Sequence, residues 1–489
     1  SAKGAAMQYD WLLKNGRVID PASGTDRVTD IAIADGKIAH IGAVEDASTA
    51  REVADLSGSV VSPGLIDTHL HAYGALSCLN PDTLGVLSGV TAMVDAGSSG
   101  AYNYPELQIL LDEACETDWF AFLHLQPLGV TGGTGEHYKF VRSMSGIPLA
   151  QMADWVGEDG RVRGLKIPAF GPIGIEPVQL AKAVARILHV PLYIHIGDFL
   201  IRPELITTPA VLNLLESGDM ATHVYTGVYG GPFTEGGLAV KELRAAQERG
   251  VILDVGFGSF NFTFAMARAG FEQGILPDTI SSDLQNRNVT GPAKSLCHIL
   301  SMFLALGMPL PDVLARVTSN AAKAIYGESW RGRITVGGRA DLTVLKIEEG
   351  DYRFRDCDGQ EISGSRRLVP LKVWKAGKKI DCNPGAVEEL ENWMVEKNED
   401  APVFVELDGV DKEFLRLLDR RARKIPWRLQ QIHEALHQSL EDSEIPLGRA
   451  IRLVQALCLK KPFPQSMATM LRDLGQERTG KFIESMSAA

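Results

Sequence analysis

Val61-Ser62-Pro63-Gly64-Leu65-Ile66-Asp67-Thr68-His69-Leu70-His71 decides how the rest of the chain is read. An apolar run that follows a Pro-Gly turn reads as a buried strand, and the period of two along it sends His69 and His71 to the same face. Two imidazoles on the inner side of such a strand are out of place among branched aliphatics. A divalent cation is the usual reason for them, and a hydrogen-bonded structural pair fits the same two residues taken alone.

Outward from this segment, runs of the same kind recur as GVTAMVDAG, FAFLHLQ, RGLKIPAF, PLYIHIGD, ATHVYTG, VILDVGFG and TISSDL, alternating with amphipathic helical stretches. His69 to Asp283 is 214 residues over seven strand-to-strand steps. Each step is about 31 residues, the length of a βαβ unit. Eight such strands predict a closed (β/α)8 barrel, in which polar residues late in the strands converge at one end. Lys166 in GLKI, His195 in YIHIG, His223 in THVY and Asp283 in SSDL all fall there, with His69 and His71. Singly, each has an ordinary explanation: a solvated lysine, a hydrogen-bonded core histidine, a helix-capping aspartate. Six polar groups at the same end of strands one, four, five, six and eight point to a metal site.

On either side of the barrel lie short β-rich runs. Trp11 to Val61 carries Asn15-Gly16 and Asp35-Gly36 as hairpin turns, and Ala340 to Asp381 carries Asp358-Gly359 and Ala376-Gly377. The simplest reading pairs residues 7–61 with 333–385 into one sheet structure, split by the barrel of residues 62–332. Residues 386–489 read as a helical C-terminal extension: Phe414, Leu417 and Leu418, then Leu429, Ile432, Leu436 and Leu440, then Ala450, Leu453, Val454 and Leu457 recur at helical spacing. The expected fold class is therefore α/β with an added helical domain, which should pack on the barrel or on a neighbouring subunit.

Of the 489 residues 45% are hydrophobic and 22% charged, as in globular proteins rather than disordered, collagenous or coiled-coil ones. A formal net charge of −12 repels phosphate backbones and anionic lipid surfaces, so neither nucleic acid nor a membrane is an expected partner. No run approaches 18 apolar residues and no basic-then-apolar leader is seen; the six residues ahead of Met7 read as an added tag. Cys78, Cys115, Cys297, Cys357, Cys382 and Cys458 have no C-x-x-C spacing, which suits reduced thiols. A cytoplasmic homo-oligomer acting on a small molecule is expected.

The six converging residues and the VSPGLID segment resemble the amidohydrolase superfamily, whose members share a (β/α)8 barrel flanked by a β-sandwich built from both chain ends. The resemblance covers residues 7–385. It implies two divalent metal ions, most often zinc, held by His69, His71, His195, His223, Asp283 and a Lys166 that CO2 has carboxylated. An ammonium beside two cations is repelled, whereas a carbamate offers one oxygen to each. The resemblance further implies attack on the scissile carbonyl by a hydroxide held between the metals, with Asp283 as proton shuttle to the leaving nitrogen.

GVTAMVDAGSSGAYNYPEL, GLKIPAF, VGFGSFNFTFAMARAG and PDTISSDLQ resemble, more closely, the dihydroorotase-like subgroup of amidohydrolase and deacetylase metallohydrolases, which hydrolyses N-acetyl groups of amino-acid-like substrates. Where this chain has Phe257 and Gln285 that subgroup carries histidines. Both departures lie beside the substrate rather than on the metals. Tyr73, Tyr225, Asn261, Gln285, Arg287 and Asn288 are the candidate substrate contacts, all in strand-end loops. Arg287, with its planar fork, suits a substrate carboxylate. Gly129 to Gly135, rich in glycine, is a candidate lid.

His433-Glu434-Ala435-Leu436-His437 matches the H-E-x-x-H zinc pattern, with Glu441, Glu444 or Glu477 as a conceivable third ligand. Leu429, Ile432, Leu436 and Leu440 on the same helix make packing its expected role. The functions in view are hydrolysis of an exocyclic N-acyl group, opening of a cyclic amide or lactone, and a non-catalytic scaffold.

Overall fold

The computed structural model describes residues 8–74, 80–130, 143–158, 160–169, 174–197, 208–228, 230–286, 288–327, 331–383, 407–459 and 466–488. Five strands come first: β1 (Tyr9–Asp20), β2 (Thr25–Ala34), β3 (Lys37–Ile41), β4 (Ala50–Asp55) and β5 (Val60–Pro63). Seven more follow at βαβ spacing: β6 (Leu65–Leu70), β7 (Val90–Gly100), β8 (Asp118–His124), β9 (Val162–Pro168), β10 (Leu192–His195), β11 (Met220–Thr222) and β12 (Ile252–Asp254). The last three are β13 (Leu342–Arg355), β14 (Glu361–Lys375) and β15 (Lys378–Asp381).

The two chain ends share one sheet, ordered β15-β14-β13-β5-β1-β2-β3, with β4 on β1. The join is antiparallel, Leu342 to Leu345 of β13 against Pro63 to Val60 of β5. Leu13, Val18, Ile31, Ile33, Val61, Leu342, Val344 and Trp374 bury a common apolar face. Asp35-Gly36 and Ala376-Gly377 make tight turns with all four residues at positive φ, as two-residue hairpins require. Asn15-Gly16 does not make a turn. Asn15, at φ 64°, sits in a bulge within β1, where the register against β2 shifts between Leu13 and Gly16. The bulge divides β1 into a half that pairs β4 and a half that pairs β5.

β6 to β12 form a parallel seven-stranded sheet in strict chain order. The eighth strand expected at TISSDL is not a continuous ladder. Gly256, Gly258 and Asp283 all have positive φ, which breaks the pleat. Residues 279–284 nevertheless bridge both edges of the sheet: Val255 N–H donates to Thr279 O (3.1 Å), Gly258 N–H to Ser282 O (3.0 Å), Asp283 N–H to His69 O (2.6 Å) and His71 N–H to Leu284 O (3.0 Å). Asp67 on β6 reinforces the closure, accepting from the Ser282 N–H (3.0 Å) and hydroxyl (2.5 Å). The barrel therefore closes between its first and eighth positions.

Five helices, Gly409–Ala422, Leu429–Ser443, Leu447–Cys458, Met467–Leu474 and Gln476–Ala488, make the C-terminal region. Phe414, Leu418, Ile432, Leu436, Val454, Leu457 and Leu471 are buried, each contributing about 1.5–3 kcal/mol. The region docks on the barrel helix Tyr104–Ala114. There Glu106 accepts from the Met467 backbone N–H (2.5 Å) and from the Tyr73 hydroxyl (2.8 Å), and burial pushes its carboxyl up to about 7. Among the described residues no helix is long and apolar enough to cross a membrane.

The His433–His437 helix takes part in this docking. His433 is buried and its imidazole is pushed down to about 4. His437 stacks on Tyr102 at 5.2 Å, with an interplanar angle of 12°, and pairs with Glu441 at 3.3 Å. Neither belongs to a metal-capable cluster of three among the described residues. The double variant His433→Ala plus His437→Ala should keep kcat unchanged in a steady-state assay and lower Tm by a few degrees, about 1 kcal/mol of stacking being lost. A tenfold fall in kcat would overturn the packing role.

Candidate metal centre

His69 lies near the end of β6 and His71 just beyond it; Lys166 lies on β9, His195 is the last residue of β10, and His223 follows β11. With Asp283 from the closing segment they meet at one end of the barrel, all six buried. Lys166 Nζ stands 3.2 Å from His69 Nε2. Asp283 Oδ1 is 3.5 Å from His69 Nε2 and 3.3 Å from His71 Nε2. The His195 and His223 rings lie 4.0 Å apart, and those of His69 and His223 5.3 Å. Ligand atoms of His69, His223 and Asp283 fit within 4.8 Å of one another. Lys166 reaches this point because β7 presents a glycine: a Cβ on Gly97 would stand 2.7 Å from Lys166 Cγ.

Burial sets the protonation of the cluster. It holds His69 and His195 well below the usual imidazole range and brings His223 to about 4, with the positive charge of Lys166 acting the same way. These rings are neutral at physiological pH, the form that binds metals. Burial also lowers the Lys166 ammonium to about 8, against the pull of the Asp283 carboxylate. Neutral imidazoles and a carboxylate suit a first-row divalent cation such as zinc. The hydrogen bonding fits too: His223 Nδ1 donates to Gly256 O (2.6 Å), and its Nε2 is buried with no hydrogen-bond partner among the described residues.

Around the cluster stands a ring of support that the sequence reading passed over. His71 Nδ1 meets Ser98 Oγ at 2.8 Å, and Asp95 accepts from the N–H groups of Ser98 (2.8 Å) and Ala72 (2.9 Å). Asp254 and Tyr193 lie beneath His69, Tyr193 donating to Asp254 at 2.6 Å. His124 ends β8 and accepts from the Gln126 N–H (2.9 Å); burial pushes it down to about 3. Ser98, His124 and Asp254 are polar residues late in a strand, the same signal that marks His195, whereas Asp95 and Tyr193 sit earlier in theirs.

The candidate substrate contacts separate into two groups. Asn261 and Gln285 stand beside Asp283. A Cβ on Gly258 would lie 2.6 Å from Asp283 Oδ2 and 2.7 Å from Asn261 Nδ2, so only glycine fits between them, and Asn261 Oδ1 is buried without a hydrogen-bond partner among the described residues. Gln285 Nε2 is 3.5 Å from Asp283 Oδ1. The others face elsewhere. The Tyr225 hydroxyl donates to Ile275 O (2.8 Å) and its ring packs against Phe233, Phe262 and Phe271. Tyr73 is sealed against Glu106. Asn288 clasps the loop, donating to Asp283 O (2.7 Å) and accepting from Gln285 N–H (2.8 Å). Phe257 stacks on Phe262 at 4.8 Å. Arg287 and residues 131–135 of the lid candidate lie outside the described residues.

A deacetylase of Agrobacterium fabrum is 32% identical to the chain over 371 residues, 74% of this chain and 89% of the relative. The chain belongs to the amidohydrolase superfamily. Solved amidohydrolase structures agree: an adenine deaminase at 28% identity and TM-score 0.68, covering 76% of this chain and all of the neighbour, and a dihydroorotase at 31% and 0.67, covering 77% and 98%. No protein-family model matches. These amidohydrolase relatives act on carbon–nitrogen bonds, and this chain is an enzyme of that class. About a quarter of it extends beyond the matched lengths.

Proposed function

We propose that this amidohydrolase removes an N-acyl group, acetyl above all, from a small amino-acid-like substrate at a binuclear centre of His69, His71, Lys166, His195, His223 and Asp283. The observation that carries the reading is the meeting of these six buried side chains at one end of the barrel, with His223 Nε2 unpartnered among the described residues. The deacetylase relative supports the choice of acetyl as the group removed. Two divalent cations, zinc first, would supply Lewis-acid polarisation of the acyl carbonyl and a water acidic enough to attack near neutral pH.

The chain's own residues supply the rest. An ammonium lowered to about 8 leaves a share of free amine at neutral pH. That Lys166 nitrogen attacks CO2 and loses a proton, leaving a carbamate with two oxygens and one negative charge. Asp283 takes the proton released by the attacking water and gives it to the departing nitrogen, so that amide and water become carboxylic acid and amine, whose remaining exchangeable proton passes from the acid to the amine as the products ionise. Asn261, across Gly258 from Asp283, accepts the substrate N–H on its Oδ1, which has no hydrogen-bond partner among the described residues. Gln285 borders the same space, and Arg287 is retained for the substrate carboxylate. We place the enzyme in the cytoplasm as a homo-oligomer, in keeping with free Cys115, Cys297, Cys357, Cys382 and Cys458.

Opening of a cyclic amide is the second reading, favoured by the dihydroorotase neighbour. The test is a panel of N-acetyl and N-formyl amino acids against hydantoins, dihydropyrimidines and lactones, with zinc and bicarbonate supplied. Acetate or formate release with kcat/KM at least tenfold above any ring opening is expected. Ring opening alone would move the assignment to a cyclic amidase.

A further inference from the structure

Asp254, the last residue of β12, is fully buried beneath the metal centre, and five hydroxyl groups converge on it. Oδ2 accepts from Tyr193 (2.6 Å), Thr222 (2.8 Å) and Ser281 (2.6 Å). Oδ1 accepts from Thr279 (2.6 Å) and Thr68 (3.3 Å). The donors come from β6, β10, β11 and the closing segment, so one carboxylate gathers most of the barrel's inner wall. A carboxylate has no proton to give, and each hydroxyl has only one. The protons of Tyr193 and Thr222 are therefore committed to Asp254.

The same two hydroxyl oxygens face His69 Nδ1, Tyr193 at 3.0 Å and Thr222 at 3.2 Å. With their protons turned to Asp254 they present only lone pairs, and they can meet Nδ1 only as acceptors. His69 then carries its proton on Nδ1, and its Nε2 lone pair points toward Lys166 Nζ, 3.2 Å away, and Asp283. The opposite tautomer would set lone pair against lone pair at Nδ1 and aim an N–H into the metal cluster.

We infer that Asp254 is a positioning residue that fixes the tautomer of His69 through Tyr193 and Thr222, keeping Nε2 ready as a ligand before any metal arrives. The value of this tautomer for metal binding rests on the reading under Proposed function; the tautomer itself does not. Outer-sphere partners of ligating histidines typically change metal affinity by 10–100-fold when removed. Asparagine at 254 offers an amide N–H in place of one acceptor oxygen, which frees at least one hydroxyl proton to turn toward Nδ1.

The experiment uses the full chain, stripped of metal and labelled with isotopes at histidine. The imidazole Cδ2 shift reports which ring nitrogen is protonated, and the His69 signal is assigned by its loss in His69→Asn. Wild type should show the Nδ1–H form, and Asp254→Asn a large share of the Nε2–H form. Chelator competition should then show zinc held about 10–100-fold more weakly by the variant. If Asp254→Asn does not fold, the double variant Tyr193→Phe plus Thr222→Val, which removes both acceptors and retains the ring packed 4.9 Å from Phe122, is judged by the same readings. An unchanged tautomer in the folded variant overturns the inference whatever the affinity does. A shifted tautomer in a protein whose wild type binds no zinc upholds the inference and defeats the proposed function.

Discussion

Asp283→Asn should lower kcat by ~10²–10⁴-fold while the protein keeps its fold and its metals. The backbone favours a clean comparison: Asp283 sits at φ 49°, a left-handed conformation that asparagine, like aspartate, adopts more readily than most other non-glycine residues. The side chain keeps its shape and still turns an oxygen toward His69 and His71, which lie 3.5 and 3.3 Å from Oδ1. What is lost is the ability to take a proton from water and return it to the departing nitrogen. Steady-state kinetics with parallel metal analysis checks this. Near-normal kcat with both metals bound would make Asp283 a ligand only and assign the shuttle elsewhere.

Lys166→Ala should reduce turnover to near background, because it removes the nitrogen on which the proposed carbamate would form, one oxygen for each of the two cations. Lys166 is buried and close to His69 Nε2, and the glycine at position 97 keeps room for its stem. Truncation leaves a gap of the right shape for a short carboxylic acid. Propionate or a similar acid should restore part of the activity and of the bound metal, since its two oxygens replace those of the carbamate. Full activity in the variant without added acid would remove Lys166 from the mechanism.

The barrel and the six inward residues were legible because both depend on period. Strands recurring every thirty or so residues and polar groups at matching depth can be counted along a chain. What the sequence hid was set by backbone conformation and by side-chain direction. Asn15-Gly16 carries the signal of a hairpin turn, yet the strand runs on through it as a bulge, because β4 and β5 take successive halves of β1. TISSDL reads as a strand, but positive φ at Asp283, and at Gly256 and Gly258 beyond the facing β12, leaves a bridged segment that turns Asp283 toward His69 and His71. Tyr225 and Tyr73 lie in loops near the strand ends, and only their partners Ile275 and Glu106 reveal that they face away from the site. Asp254 was passed over as one acid in an apolar run; its five hydroxyl donors come from strands far apart in sequence.

The central claim is a binuclear centre that depends on a carboxylated lysine. Elemental analysis of protein purified without chelator and supplied with zinc and bicarbonate tests it most directly. Two zinc ions per chain are expected in the wild type, and a clear loss of metal in Lys166→Ala that a short carboxylic acid partly reverses. Well under one divalent ion per chain in the wild type would contradict the claim.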